Sequence, residues 1–161
     1  MKITLFLLIL TAFLNAQILD VKILYLEQKI QKPPVLSNII DEPEDLGLKG
    51  AQVAIFDSNK SAKFLNQNFE LIEKISYDEN ELISAFEEFI KNKNSYVVLN
   101  VEDSLLEKIR NNPLSKQSLL INASSQSTHL RSQICDKNLL HTIASNAMLY
   151  DGLVQFLVKR N

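Results

Sequence analysis

An α/β fold built on one doubly wound, five-stranded parallel sheet of flavodoxin-like order is predicted for this chain, and three observations carry the prediction. Short apolar runs alternate with helix-forming stretches, the pattern of βα units rather than of hairpins. The segment from Leu119 to Val158 passes twice from an apolar strand through a small polar loop into a helix: LLIN, ASSQST and HLRSQIC, then LLHTI, ASNA and MLYDGLVQFLVKR. The 161 residues, 46% of them hydrophobic, suffice for one packed core and leave no room for a second domain.

Lys2, the apolar run Ile3 to Leu14 and then Asn15-Ala16-Gln17 have the charge, length and small-residue end of a secretory signal. Cleavage is expected after Ala16, making residues 1–16 the signal and 17–161 a single exported, periplasmic lobe. The run is short for a bilayer span, and an uncleaved anchor is the alternative. No Cys follows it, which argues against a lipoprotein. No other segment is apolar enough to cross a membrane, so no stable insertion is expected after cleavage.

Val21 to Leu26 reads as the first and central strand. Glu27 to Glu44 contains Pro33, Pro34 and Pro43, which break helix and sheet, and reads as a loop over the carboxyl end of that strand. From Asp45, Leu48, Ala51 and Ile55 take helical spacing, with Val53 and Phe56 beside them and Asn59 to Asn68 as the exit. Phe69 to Ile75 is the second strand. Asp78 and Glu81 have capping-box spacing ahead of a stripe of Leu82, Ile83, Phe86, Phe89 and Ile90, with Glu87, Glu88 and Lys91 on the solvated face. Tyr96 to Leu99 reads as a buried strand, and Asp103 to Arg110 as a helix ended by Asn111-Asn112-Pro113. Leu119 to Ile121 and Leu139 to His141 complete the sheet.

In an open parallel sheet, ligands sit outside the carboxyl ends of the strands, against loop amides and helix N-termini. Ala123, Ser124, Ser125, Gln126, Ser145 and Asn146 fall at such positions and are the candidate ligand-binding residues. Their loops are expected to share one rim, with the N–H groups of the 123–126 loop pointing outward. The plainer reading is that these Ser and Asn residues only start helices.

Other chemistry is sparse. The net charge of −2, with lysines interspersed among acids, offers no basic stripe for nucleic acid. Cys135 is the only cysteine, so no internal disulfide can form. His129 and His141 lack the spacing of a thiol-activating base, so Cys135 reads as a packing residue. Asp41, Glu42, Glu44 and Asp45 form an acidic knot without calcium-loop spacing. Asp57 and Asn59 fit a local side-chain turn. Only three glycines are present, and there is no phosphate-binding loop, HExxH or GxSxG motif. No metal, cofactor or catalytic residue is expected.

A linear order of motifs runs through the chain: Leu36-Ser37-Asn38, Pro43 to Ala51, Asp57 to Asn59, Asn122-Ala123, Leu130-Arg131, Cys135, Leu140 to Thr142 and Ala147-Met148. This order resembles the first lobe of type I periplasmic binding proteins. These are substrate-binding proteins of ABC transporters of the branched-chain amino-acid type, and the match is to the branch associated with PQQ-dependent alcohol dehydrogenase systems. The chain departs from that branch at Ala62, where a Gly is usual, and at Ala144-Ser145-Asn146, where Pro-Ser-Arg is usual.

The resemblance implies non-covalent capture of a small polar ligand by amides and hydroxyls at Ala123 to Gln126, helped by Ser145 and Asn146, and delivery to the membrane subunits of an ABC importer. It implies no enzyme activity. It also implies a second lobe, which is expected to be missing after Asn161, leaving the surface near Ala144 to Tyr150 exposed and the isolated lobe a weak binder. Two alternatives stand beside it: a non-functional remnant of an interrupted reading frame, and a flavodoxin-like interaction domain. Of a phosphoacceptor receiver, only Val101-Glu102-Asp103 gives a faint echo.

Overall fold

The computed structural model describes residues 18–31 and 43–160. The expected signal and its cleavage point lie outside these residues, as do Pro33, Pro34, Leu36-Ser37-Asn38, Asp41 and Glu42.

Strands β1 (Leu19–Gln28), β2 (Gln67–Ser76), β3 (Tyr96–Asn100), β4 (Leu119–Asn122) and β5 (Leu139–His141) alternate with helices α1 (Leu46–Ala62), α2 (Glu79–Lys91), α3 (Asp103–Asn111), α4 (Thr128–Ser132) and α5 (Asn146–Arg160). All four pairings are parallel, and the sheet order is β2-β1-β3-β4-β5. This is the doubly wound, flavodoxin-like order expected. The crossing direction reverses after β2, so later strands add on the free side of β1 and the middle of the sheet is β3, not β1.

The sheet buries its two faces unequally. Leu24, Leu26, Val97, Leu99, Leu120 and Leu139 point to one face and join Leu82, Phe86, Phe89 and Ile90 of α2, Leu105, Leu106 and Ile109 of α3 and Leu130 of α4 in a single core. On the opposite face α1 covers β1 and β2, with Gln52 bonded to Glu73 at 2.8 Å.

Three local features depart from expectation. β1 runs on through Glu27 and Gln28, because they pair with Ile75 and Ser76 of β2 and Glu27 also with Asn100 of β3. α1 continues past Asn59 to the buried Ala62. Asn59 does not unwind the helix because its carboxamide grips the Phe69 backbone in both directions, donating to the carbonyl and accepting from the N–H at 2.8 Å each.

The capping box at α2 forms by half. Asp78 accepts from the Asn80 N–H at 2.8 Å, but Glu81 turns away to Lys74 and Ser76, and the Ser76 hydroxyl takes the Asp78 N–H instead. At its other end α2 closes in a Schellman motif, with Lys93 N–H on the Ile90 carbonyl and Asn94 N–H on that of Phe89. The motif places Lys93 in the left-handed region, at φ 63°.

α5 differs from every other helix. All fifteen of its residues are exposed, including Leu149, Tyr150, Leu153, Val154, Phe156 and Leu157. Among the described residues no helix is long and apolar enough to cross a membrane.

Candidate functional site

Reversal of the sheet order between β1 and β3 leaves a crevice at their carboxyl ends, the usual ligand position in doubly wound sheets. A cleft of about 610 Å³ lies there. Gln28 at the end of β1, Asn100 at the end of β3 and Val101 to Asp103 after it form one side, and Ser124, Ser125, Gln126 and Asn146 the other. The β4–α4 and β5–α5 loops therefore meet at one rim, joined by a 2.9 Å bond from the Asn146 N–H to the Gln126 carbonyl.

Asn122, fully buried at the end of β4, organises this rim. Its side-chain oxygen accepts from the N–H groups of Ser124 and Ser125 at 3.2 and 2.8 Å, and its amide nitrogen donates to the Ser125 carbonyl at 2.7 Å. The hydroxyls are engaged as well. Ser124 donates to the Val101 carbonyl, Ser125 accepts from the Ser127 N–H, and Ser127 caps α4 through the Leu130 N–H.

For Ala123, Ser124 and Ser125 these bonds correct the expectation that the loop amides point outward. The N–H groups of Ala123, Ser124, Ser125 and Asn146 are held by Leu99, Asn122 and Gln126, because a strand-to-helix turn this tight must satisfy its own donors when buried. Ala123 and Ser145 do not line the cleft. Ser145 is buried and caps α5 by accepting from the Met148 N–H at 3.3 Å, the plainer role open to it from sequence. Of the six candidates, Ser124, Ser125, Gln126 and Asn146 face the cleft.

Residues not singled out from sequence supply the rest. Gln28 accepts from the Glu102 N–H at 3.0 Å, tying β1 to the start of α3. Glu102 and Asp103 bring carboxylates to the cleft and Asn100 a carboxamide, so its walls offer side-chain donors and acceptors of mixed kind. No His or Cys lines it among the described residues; His129 and His141 instead contact Gln133 and Asn122.

A second cleft of about 530 Å³ adjoins the first and shares Gln28, Ile30 and Asn100 with it. Behind its lining residues Glu27 and Asn100, the buried Tyr25 hydroxyl donates to Glu27 at 2.7 Å and accepts from Asn100 at 2.9 Å, while Lys29 reaches Glu27 at 2.7 Å and the Glu44 carbonyl at 2.8 Å. Burial, then the Glu27 carboxylate, keeps the Tyr25 phenol protonated far above its usual range, and the bond to Glu27 raises the Lys29 ammonium. Gly47 in the first turn of α1 lies against this group. A Cβ there would come within 2.6 Å of the Tyr25 hydroxyl and 2.8 Å of the Asn100 amide. The signal in the sequence was present: Tyr25 and Glu27 are two apart on one strand, hence on one face.

Among the described residues no group of three or more His, Cys, Asp or Glu is placed to hold a metal ion. No known family model matches this chain, and no curated protein is significantly similar to it.

Proposed function

We propose that this domain captures a small polar solute in the cleft at the β1–β3 switch point, as one lobe of an exported receptor that serves an ABC importer. The observation that carries the reading is the meeting of the 123–126 and 145–146 loops on one cleft with the ends of β1 and β3. The order of motifs from Leu36 to Met148 supports the receptor class and, with it, a periplasmic location and importer membrane subunits as partners.

Recognition falls to side chains rather than to loop amides. Gln126 and Asn146 supply carboxamides that both donate and accept, Gln28 and Asn100 add the capacity left by their bonds to Glu79, Glu102 and Tyr25, and the Ser125 hydroxyl keeps its hydrogen to donate because its bond to Ser127 is as acceptor. Such a set suits hydroxyl, amide or amine groups better than a lone carboxylate, which would meet Glu102 and Asp103.

Binding sites normally hide about 70–90% of a ligand. This cleft is open on its outer side, so one lobe should bind weakly, at about millimolar Kd. Titration of the ¹⁵N-labelled chain with amino acids, short-chain acids and alcohols tests this by NMR. Shifts are expected at Ser124 to Gln126 and Asn146, diminished in Gln126→Ala and Asn146→Ala. Absence of shifts across the panel, or shifts confined to other surfaces, would remove the proposal.

A further inference from the structure

Two apolar surfaces in this molecule lack partners among the described residues. The first is the half of the sheet that α1 leaves uncovered. Tyr96 and Val98 of β3, Leu119 and Ile121 of β4 and Leu140 of β5 point away from the core, and Tyr96 and Leu140 are 44% and 50% exposed. A doubly wound sheet normally has helices on both faces, and no described helix lies over these three strands.

The second surface is α5. At 100° per residue, Leu149, Tyr150, Leu153, Val154, Phe156 and Leu157 fall on one side of the helix with Arg160, and Asp151, Gln155 and Lys159 on the other with Met148 and Val158. The larger apolar side chains are thus gathered on one side, although the separation is partial. At about 22 Å the helix is longer than β3, the longest of the three strands at five residues and about 16 Å, so it can cover them end to end.

α5 is held away from the bare face of its own sheet. Its first turn is tied to the α4 side by Asn146 N–H to the Gln126 carbonyl and Ala147 N–H to the Thr128 hydroxyl at 3.1 Å, and the loop before it by Arg131 to the Ile143 carbonyl. Helix α4 packs on the core face through Leu130, opposite to the bare one. These bonds fix where α5 leaves the sheet, and none of its residues is buried against its own strands.

We infer that the bare face of β3–β4–β5 is covered by α5 of a second copy of this chain, the two copies exchanging helices about a twofold axis. Such an exchange is self-complementary, as a twofold interface must be. Covering a side chain of this size hides about 100 Å². With about half of that still open on each of six side chains, the two helices and the two faces beneath them reach roughly 1,200 Å², the lower bound for a stable interface.

The test uses the full chain with its exposed Cys135 replaced by Ser. Sedimentation equilibrium should give the mass of two chains, and Leu153→Asp, on an exposed helix position, should give one chain with an unchanged circular dichroism spectrum. Mixing Ile121→Cys chains with Phe156→Cys chains should then yield a disulfide-linked heterodimer on oxidation. A monomer at all concentrations, a link formed within one chain by the doubly substituted protein, or a dimer that does not link these positions would each overturn the exchange.

Discussion

Asn122 and His141 are register partners on β4 and β5, and the Asn122 carboxamide nitrogen lies 3.0 Å from Nδ1 of the imidazole. The orientation of the carboxamide is set independently, since its oxygen accepts two backbone N–H groups. Its nitrogen must therefore donate, and His141 must accept with a bare Nδ1. One buried side chain thus joins the strand pair to the rim of the cleft.

Asn122→Ala should lower stability by about 2–4 kcal/mol, because it leaves two buried N–H groups and the Ser125 carbonyl without partners in addition to its cavity. Urea denaturation measures the loss. A change below about 1 kcal/mol would mean that the rim reorganises around water instead.

His141 carries a pH prediction. Burial, then the nearby Arg131 guanidinium, lowers its pKa from the ordinary 6.5. The unfolded chain therefore binds the proton more readily than the folded one, and stability rises with pH in that range. The contribution is fully present above 6.5 and is lost as pH falls through the lowered folded value. Denaturation followed from about pH 8 to about pH 5 should show this fall, and His141→Gln should flatten it. An imidazole that titrates above 6.5 by NMR would contradict the sign.

Gly47→Ala should destabilise by about 1–3 kcal/mol, since its Cβ meets a hydroxyl fixed on both sides rather than a mobile side-chain end. Tyr25→Phe removes that hydroxyl. The cost of Gly47→Ala should accordingly be smaller in the Tyr25→Phe background, a coupling that a double-mutant cycle reads directly. Additive effects would show that the contact with Asn100, at 2.8 Å, dominates.

Lys93→Gly should raise stability by up to about 1 kcal/mol, because left-handed backbone strains any residue with a Cβ while the Schellman bonds use only the main chain. The entropy of glycine in the unfolded chain offsets part of the gain. A fall in thermal midpoint would show that the Lys93 side chain contributes a contact of its own.

The elements legible in the sequence are those whose signal is local. The stripe Leu82, Phe86, Phe89 and Ile90 repeats with the helical period and is buried as that period requires, and the alternation of strands with helices fixes the parallel topology. Asn59 misled because its partner, Phe69, is ten residues away, and a carboxamide bonded to a strand does not unwind its own helix.

The rim of the cleft was readable in outline and misread in chemistry. Strand-loop-helix order places Ser124 and Asn146 at the carboxyl edge whatever else happens, but which donors remain free depends on Asn122, a strand residue whose reach into the loop has no linear signature. Gln28 and Asn100 enter the cleft only through the pairing of β1 with β3, which brings distant segments together.

Placing the apolar mass on a single face of the sheet also divides the molecule by opening free energy. Amides of β1, β3 and β4, sealed beneath α2 and α3, should exchange with solvent only through global unfolding, whereas those of α5 should exchange through local fraying once Leu153→Asp has separated the two copies. A protease offered to the Leu153→Asp monomer should therefore cut first beyond Ser145 and leave a resistant fragment that retains the five strands, whereas the dimer should resist at α5 as well.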